Sequence, residues 1–141
     1  MDIERYHITT REDFDYCVQR GIEPLIDDNF DIDINLRVEI QKEMFGKDIQ
    51  KANQRFFKWI WKHKEHVCEE CGIKLPFYSA TFCSHILSRG AHPEKAHDGR
   101  NINILCFKHH TEWENGNRKQ MRIFEKNQKT IEKLNFEYSQ L

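Results

Sequence analysis

Two pairs of metal-ligating residue types recur in this chain with the same spacing. Cys68 and Cys71 flank two residues in CEEC, and Cys106 and His109 flank two residues in CFKH. Each pair can wrap one side of a tetrahedral ion, and thiolates combined with an imidazole favour Zn²⁺. The alternative, that the cysteines are only buried apolar side chains, leaves the paired spacing unexplained. We therefore predict a structural zinc on these four residues, which would close the 34-residue segment between Cys71 and Cys106.

The cysteine count supports thiolates used for metal binding. The chain has 141 residues and five cysteines, and its first residues, MDIERYHITT, lack the basic and apolar stretches of a secretory signal. An odd number of cysteines without such a signal argues against a disulfide framework. No apolar run approaches the ~20 residues that cross a membrane. We expect an intracellular, cytoplasmic protein with no membrane partner, in which Cys17 and Cys83 are structural.

The formal net charge of −1 conceals an uneven distribution of charge. Residues 1–36 contain ten acidic and three basic side chains, a net charge of −7, whereas residues 37–141 contain 13 acidic and 19 basic side chains, a net charge of +6. A positive segment can contact phosphate groups, although solvated basic faces are also common. The charge pattern is therefore compatible with a nucleic-acid partner but does not require one.

Hydrophobic periodicity indicates helices at both ends of the chain. Residues 1–66 comprise an acidic segment, with loops and a short helix around residues 11–20, and then one long helix or two helices joined near Gly46. Residues 118–141 contain a basic, weakly amphipathic helix. We therefore predict a helical extension on each side of the cysteine-rich middle.

The middle segment, residues 67–117, has a different composition. Aromatic, β-branched and small residues in FYSATFCSHIL, residues 77–87, predict a strand or hairpin arm. A long loop follows, then a short strand in NINIL and a helix that ends near Gly116. The predicted fold class is α+β, with a strand, a loop, a strand and a helix in the zinc-stapled core.

His110 and Glu114 form a second candidate metal site. Adjacent side chains on a helix diverge by roughly 100°, so His109 and His110 should serve different purposes. Glu114 follows His110 by four residues, which places both side chains on one helix face. A histidine with a carboxylate suits a divalent ion such as Mg²⁺, Mn²⁺ or Zn²⁺. An ordinary solvated pair remains the alternative interpretation.

The ordered motifs CEEC, SHILSRG and NINILCFKHH resemble the HNH nuclease family in its paired-ligand zinc variant. The resemblance covers residues 68–117 and implies the family's ββα-metal finger. It also implies that His85 is the general base, that Asn101 is the middle asparagine, and that His110 is a ligand of the catalytic metal. SHILSRG followed by a long loop is similar to nucleases of phage recombination functions, so the resemblance implies a gene carried by a phage or mobile element.

Two positions differ from the commonest form of the family. Ser84 stands where many members carry an Asp or His that binds the metal, and His109 stands where the last zinc ligand is usually Cys. Histidine is an acceptable zinc ligand. The missing catalytic-metal ligand would be supplied by Glu114, or alternatively by His92 or Asp98.

The resemblance implies a metal-dependent endonuclease that hydrolyses DNA and leaves 5′-phosphate and 3′-hydroxyl ends. His85, neutral near pH 7, would accept a proton from water, and a divalent ion on His110 would stabilise the developing charge. Two rivals remain: a non-catalytic zinc module that binds nucleic acid or protein, and a thiol–disulfide enzyme using Cys68 and Cys71. A homodimer also remains open. The residues expected to contact the DNA backbone are Arg89, Arg100, Lys108, Arg118 and Lys119, with further basic residues of the C-terminal helix up to Lys133.

Overall fold

A computed structural model describes residues 5–26 and 32–141 of the chain; Asp27, Asp28 and Asp31 of the predicted acidic segment lie outside them. The described residues form helices and two small sheets, which agrees with the predicted α+β class. None of the helices within these residues is both long and apolar enough to cross a membrane. In chain order the elements are β1 (Arg5–His7), α1 (Arg11–Arg20), β2 (Glu23–Leu25), α2 (Ile34–Phe45), α3 (Ile49–His63), β3 (Cys83–His85), β4 (Ile102–Ile104), α4 (Phe107–Asn115) and α5 (Phe124–Tyr138).

The N-terminal part is a small parallel unit that the sequence analysis did not predict. β1 and β2 pair in parallel, and α1 makes the connection between them. The predicted helix at residues 11–20 is confirmed, and a reciprocal capping box between Thr10 and Asp13 begins it. Gly21, at φ 65°, ends the helix in the left-handed conformation that glycine adopts at little cost. Strands of three residues are too short to show a periodicity, so only the helix was visible in the sequence.

The segment that follows forms two helices joined near Gly46, as one of the two alternatives predicted, and not one long helix. Asp33 caps the start of α2, and Asp48 caps the start of α3. Gly46 ends α2 at φ 93°, where a side chain would be strained and would meet the Arg55 guanidinium. The chain therefore turns between the helices, and α3 packs against the hairpin that follows.

The segment that contains the candidate site is a short antiparallel hairpin followed by a helix. Cys83 lies opposite Ile104, and His85 lies opposite Ile102. Only residues 83–85 of the predicted 77–87 strand pair as a strand, because a 3₁₀ turn at Ala80–Phe82 precedes them. The hairpin leads directly into α4, which ends at Gly116 as predicted.

The hydrophobic core spans all three segments described from the sequence, residues 1–66, 67–117 and 118–141. One buried cluster joins Phe56 and Ile60 of α3 to Ile102 and Ile104 of β4. A second cluster joins Cys68, Leu105 and Trp113 to Met121 and Ile123, just ahead of α5. The C-terminal helix starts at Phe124 rather than at 118, because residues Arg118–Gln120 form a 3₁₀ turn. The three sequence segments therefore pack on one another.

Candidate metal centre and adjoining cavity

Cys68, Cys71, Cys106 and His109 lie together, with their four donor atoms within 4.8 Å of one another. The His109 Nδ1 atom is 3.3 Å from Cys106 Sγ and 3.7 Å from Cys68 Sγ, and the Sγ atoms of Cys71 and Cys106 are 4.0 Å apart. A tetrahedral zinc with Zn–S of about 2.3 Å and Zn–N of about 2.0 Å requires edges of about 3.8 Å between sulfurs and about 3.6 Å between sulfur and nitrogen. These three distances lie within about 0.3 Å of the ideal edges, and the cluster could bind a structural metal ion, as its spacing predicted.

Local backbone geometry places the first ligand pair. The Gly72 N–H donates to the Cys68 carbonyl at 2.9 Å, and the Cys68 N–H donates to the Ile73 carbonyl at 2.9 Å. Gly72 adopts φ 78°, which allows the tight turn after Cys71. The Glu69 N–H donates to the Ile104 carbonyl at 2.8 Å, and so joins this turn to the end of β4. The second ligand pair begins two residues later, so β4 holds both pairs at one point.

The electrostatics of the cluster favour a bound cation. Burial opposes ionisation of Cys68, but backbone N–H groups of Cys106, Cys71 and Glu70 and the His109 ring outweigh it and lower the pKa of the Cys68 thiol to about 7. Burial, together with the nearby Cys68 and Cys71 sulfurs, raises the pKa of Cys106. Thiolates this close repel one another, and a zinc ion bound among them would remove this repulsion.

His85 projects from β3 and lines a separate cavity. Its Nε2–H donates to the Ala96 carbonyl at 2.8 Å. A carbonyl only accepts, so Nδ1 of the neutral ring is the nitrogen with a free lone pair. Burial lowers the pKa of His85 to about 4, and the hydrogen bond to Ala96 offsets only part of this effect. The ring is therefore an uncharged proton acceptor at neutral pH.

Asn101 is fully buried and fixes the loop between the two strands. Its side-chain oxygen accepts from the Leu87 N–H at 2.8 Å, and its amide nitrogen donates to the carbonyls of Leu87 at 3.0 Å and Lys95 at 3.3 Å. The Ile86 N–H donates to the Asn101 carbonyl at 2.9 Å. Asn101 thus bridges loop backbone on both sides of the turn.

His110 and Glu114 meet on one face of α4. The His110 Nε2 atom is 2.9 Å from a Glu114 carboxylate oxygen, and the His110 Nδ1–H donates to the Thr81 carbonyl. Because Nδ1 carries the proton of a neutral ring, Nε2 and the carboxylate oxygen are both acceptors at close range. A proton shared by the two atoms, or a divalent ion that both atoms coordinate, would relieve their repulsion. The pair is therefore suited to hold a divalent ion.

The cavity of about 620 Å³ brings the two histidines together with basic side chains. The Arg89 guanidinium lies 5.5 Å from the centre of the Phe57 ring, and that of Arg118 lies 4.4 Å from the centre of the Trp113 ring. Aromatic support of this kind orients a guanidinium without neutralising it. We call this space the histidine cavity; its polar lining includes His85, Ser88, Arg89, His92, His110, Glu114, Asn115 and Arg118.

The structure corrects the assignment of Arg100 as a DNA-contacting residue. Arg100 is 4% exposed, and its guanidinium donates to Asp98 at 2.7 and 2.9 Å and to Glu137 at 2.8 Å. Arg37 and the Tyr138 hydroxyl complete this buried network around Asp98. The Arg100 side chain therefore lies in the protein interior, with its guanidinium bound to Asp98 and Glu137. The sequence gives no local signal for this burial, since the network joins α2, the inter-strand loop and α5.

The other predicted residues divide between the histidine cavity and the outer surface. Lys108 and Lys119 are exposed but do not line the cavity. Asp98, considered as a metal ligand, is held by the buried network, whereas His92 and Glu114 do line the cavity. Ser84 is buried, lies opposite Asn103 across the hairpin, and does not line the cavity.

Sequence reasoning missed the carbonyl groups of Thr81 and Ala96, which orient the rings of His110 and His85. Any type of residue can supply a backbone carbonyl, so the sequence does not show which carbonyls take this role. These partners could be found only from the three-dimensional arrangement.

Comparison of the chain with protein-family models, curated proteins and solved structures finds no match. The interpretation of the site therefore depends on its own geometry and on the sequence motifs.

Proposed function

We propose that this protein is a metal-dependent endonuclease of the HNH type, which hydrolyses DNA phosphodiester bonds. The observation that supports this proposal most strongly is the histidine cavity, where a proton acceptor, a histidine–carboxylate pair and two guanidinium groups line one space. Phosphodiester hydrolysis needs these elements: a base for water, a site for a divalent ion and cations for the phosphate. The zinc cluster alone would not require any of them.

His85 is the general base in this proposal. The Ala96 carbonyl holds the ring in the tautomer that leaves Nδ1 free to accept a proton from water. The low pKa of His85 keeps the ring unprotonated at neutral pH, although it also makes the ring a weaker base. Hydroxide formed beside His85 would attack phosphorus and break the bond to the 3′-oxygen, which would take a proton from water; the products would carry 5′-phosphate and 3′-hydroxyl ends.

His110 and Glu114 would hold the catalytic divalent ion, either Mg²⁺ or another. Their donor set fits such an ion, because two acceptor atoms lie 2.9 Å apart at the edge of the cavity. When bound, the ion would supply charge stabilisation for the phosphate oxygens and for the departing 3′-oxygen. Water would complete its coordination, as is usual for Mg²⁺.

Three other residues bind or orient in this proposal. Asn101 fixes the loop that carries the Ala96 carbonyl, and so positions His85 indirectly. Arg89 and Arg118 would contact the phosphate groups beside the scissile bond. Zinc on Cys68, Cys71, Cys106 and His109 would hold the start of α4 against β4, and so place His110.

A non-catalytic zinc module that binds nucleic acid or protein is the alternative function. One observation favours it: within residues 5–26 and 32–141, only the zinc cluster brings three or more metal-ligating side chains close together. A module of this kind would bind a partner without any need for His85. It would show no cleavage under any metal condition.

Plasmid cleavage tests the proposal directly. Supercoiled DNA is incubated with wild-type protein and Mg²⁺, Mn²⁺ or Ni²⁺, and with EDTA as the metal-free arm. We expect nicking with at least one ion, and a loss of about 10²–10⁴-fold in His85→Ala, which removes a general base. His7→Ala, an exposed histidine on β1, is the matched control and should cleave like wild type. Wild-type protein that cleaves with none of these ions would refute the nuclease proposal.

A further inference from the structure

A second cavity, of about 530 Å³, lies between β4, the CEEC turn and α5. Most of its basic side chains come from α5 and from the residues just before α5. It shares only Ile86 with the lining of the histidine cavity. We call it the lysine groove; its basic residues other than the buried Arg100 are Lys64, Arg122, Lys126, Lys129 and Lys133.

Helix geometry concentrates this charge on one face. Lys126, Lys129 and Lys133 are spaced three and four residues apart, so their side chains project from the same side of α5. Against these five basic residues the groove has two carboxylates, Glu69 and Glu125, which leaves a net charge of +3. The whole chain has a net charge of −1. The groove is therefore a local concentration of positive charge on a nearly neutral protein.

Polar contacts between three elements hold the groove in shape. The Asn127 amide donates to the Asn103 side-chain oxygen at 2.7 Å, which joins α5 to β4. The Glu70 carboxylate accepts from the N–H groups of Arg122 at 2.9 Å and Ile123 at 3.0 Å, which joins the CEEC turn to the start of α5. The lysines are thus presented from a rigid support that is tied to the zinc cluster. A charged site organised in advance loses less entropy when it binds a ligand.

The lining also indicates the chemical class of the ligand. Its apolar residues are Ile86 and Ile102, both buried, and it contains no aromatic side chain. Protein partners usually anchor on aromatic or large apolar contacts, so an acidic protein is poorly matched to this surface. The axial distance from Lys126 to Lys133 is about 10 Å, which corresponds to about three phosphate steps of a nucleic-acid strand.

We infer that the lysine groove binds the phosphodiester backbone of a nucleic-acid segment other than the one that enters the histidine cavity. This inference deepens the proposed function, since a substrate that reaches both sites would be held in two places, at the histidine cavity and at the lysine groove. It does not depend on cleavage, because binding at the groove uses none of the residues assigned to chemistry. Contacts of this kind carry affinity without sequence preference.

The test compares two triple variants that remove the same charge. The groove variant is Lys126→Gln/Lys129→Gln/Lys133→Gln, and the control is Lys42→Gln/Lys47→Gln/Lys51→Gln, three exposed lysines of α2, its C-terminal turn and α3. Binding of a fluorescent DNA duplex is followed by anisotropy over a range of salt concentrations without added divalent ion. We expect the slope of log affinity against log salt to fall by about 1 for each lost phosphate contact, so by about 3 in the groove variant. The control should keep the wild-type slope.

Equal slopes and affinities for the two triple variants would overturn the inference. Zinc content and melting temperature are measured in both, and if the groove triple fails to fold, Lys129→Gln alone should still lower the slope by about 1. Gel analysis confirms that the DNA stays intact, so binding is read apart from cleavage. A further outcome is that the wild-type protein never cleaves plasmid DNA while the two triple variants still differ in slope. That result would refute the nuclease proposal and support the inference that the lysine groove binds nucleic acid.

Discussion

Two neighbouring histidines of α4 belong to regions of opposite character. His109 directs Nδ1 toward Cys68 and Cys106 in the candidate zinc cluster, where four donor atoms lie within 4.8 Å of one another. His110 directs Nδ1–H to the Thr81 carbonyl and Nε2 to Glu114, at the edge of the open histidine cavity. In the first region four side chains supply a full set of metal ligands. In the second region the histidine rings depend on backbone carbonyls and on a loop fixed by Asn101.

This difference follows the general distinction between structural and catalytic metal sites. A structural zinc has all four positions filled by protein, while a catalytic ion keeps positions open for water and substrate. A complete set of ligands can be read from spacing, and it should stabilise the fold. An open set is held by its surroundings, so its function should fail when those surroundings change. Substitutions in the two regions should therefore differ in whether they affect zinc binding and stability or cleavage.

Loss of a zinc ligand should have the largest effect. In Cys68→Ala we expect the zinc to be lost and the finger to unfold, because structural zinc contributes an apparent binding free energy of about 10–16 kcal/mol, comparable to or greater than a domain's total stability of about 5–15 kcal/mol. Zinc analysis and thermal circular dichroism measure both. Cys83→Ala is the control, since Cys83 is also a buried free thiol but lies outside the cluster. It should retain zinc and lose only about 1–2 kcal/mol; equal losses would show that the cysteines act as apolar core residues.

Breaking the buried network should disturb the cavity side while sparing the zinc. In Asp98→Asn the guanidinium of Arg100 loses its closest partner, which should cost about 3–5 kcal/mol. Cleavage should also fall, because the same loop carries Ala96 and Asn101. Urea unfolding gives the loss of stability, and Asp15→Asn, on the exposed Arg11 pair, should lose less than about 1 kcal/mol. Loss of zinc from folded Asp98→Asn would show that the two regions are not separable.

The burial of His85 should add a dependence of stability on pH that is separate from protonation of the zinc ligands. The pKa of His85 is about 4 in the folded chain, below the unfolded value of about 6.5, so the unfolded chain binds more protons between these values. Its contribution is thus present above about pH 6.5 and is lost as pH falls toward 4, with a slope of up to about 1.4 kcal/mol per pH unit.

Urea unfolding of wild type and His85→Gln between pH 6.5 and 4.5 measures this contribution. The wild type should lose stability faster than the variant as pH falls, by about 1 kcal/mol per unit. Protonation of the zinc ligands affects both proteins alike and cancels in the difference. Parallel curves would mean that His85 is not buried as a neutral ring.

The sequence predicted local features well and distant associations poorly. Ligand spacing predicted the association of Cys68 and Cys71 with Cys106 and His109, which the structure confirms. Helical periodicity predicted helix in this segment, and Gly46 marked the junction of the two-helix alternative, because a glycine turn depends on nearby residues. The parallel pairing of β1 with β2 was missed, since two three-residue strands have no periodicity of their own.

The wrong assignment of Arg100 has the same origin. A basic residue in a loop was interpreted as exposed, but it lies between Asp98 and Glu137, which is 37 residues away. Burial of a charge depends on partners brought together by the fold, and sequence alone does not show them. The roles of the Thr81 and Ala96 carbonyls were hidden for a related reason, since they come from backbone position rather than side-chain identity.

The central claim, that His109 and His110 serve separate ions, is tested most directly by the zinc content of His109→Ala and His110→Ala, purified in parallel without chelator. Both variants remove one imidazole from the same turn of α4, so each is the control for the other. We predict that His109→Ala loses its zinc, whereas His110→Ala retains the wild-type amount. Zinc that is retained in His109→Ala and lost in His110→Ala, or lost equally from both, would contradict this account.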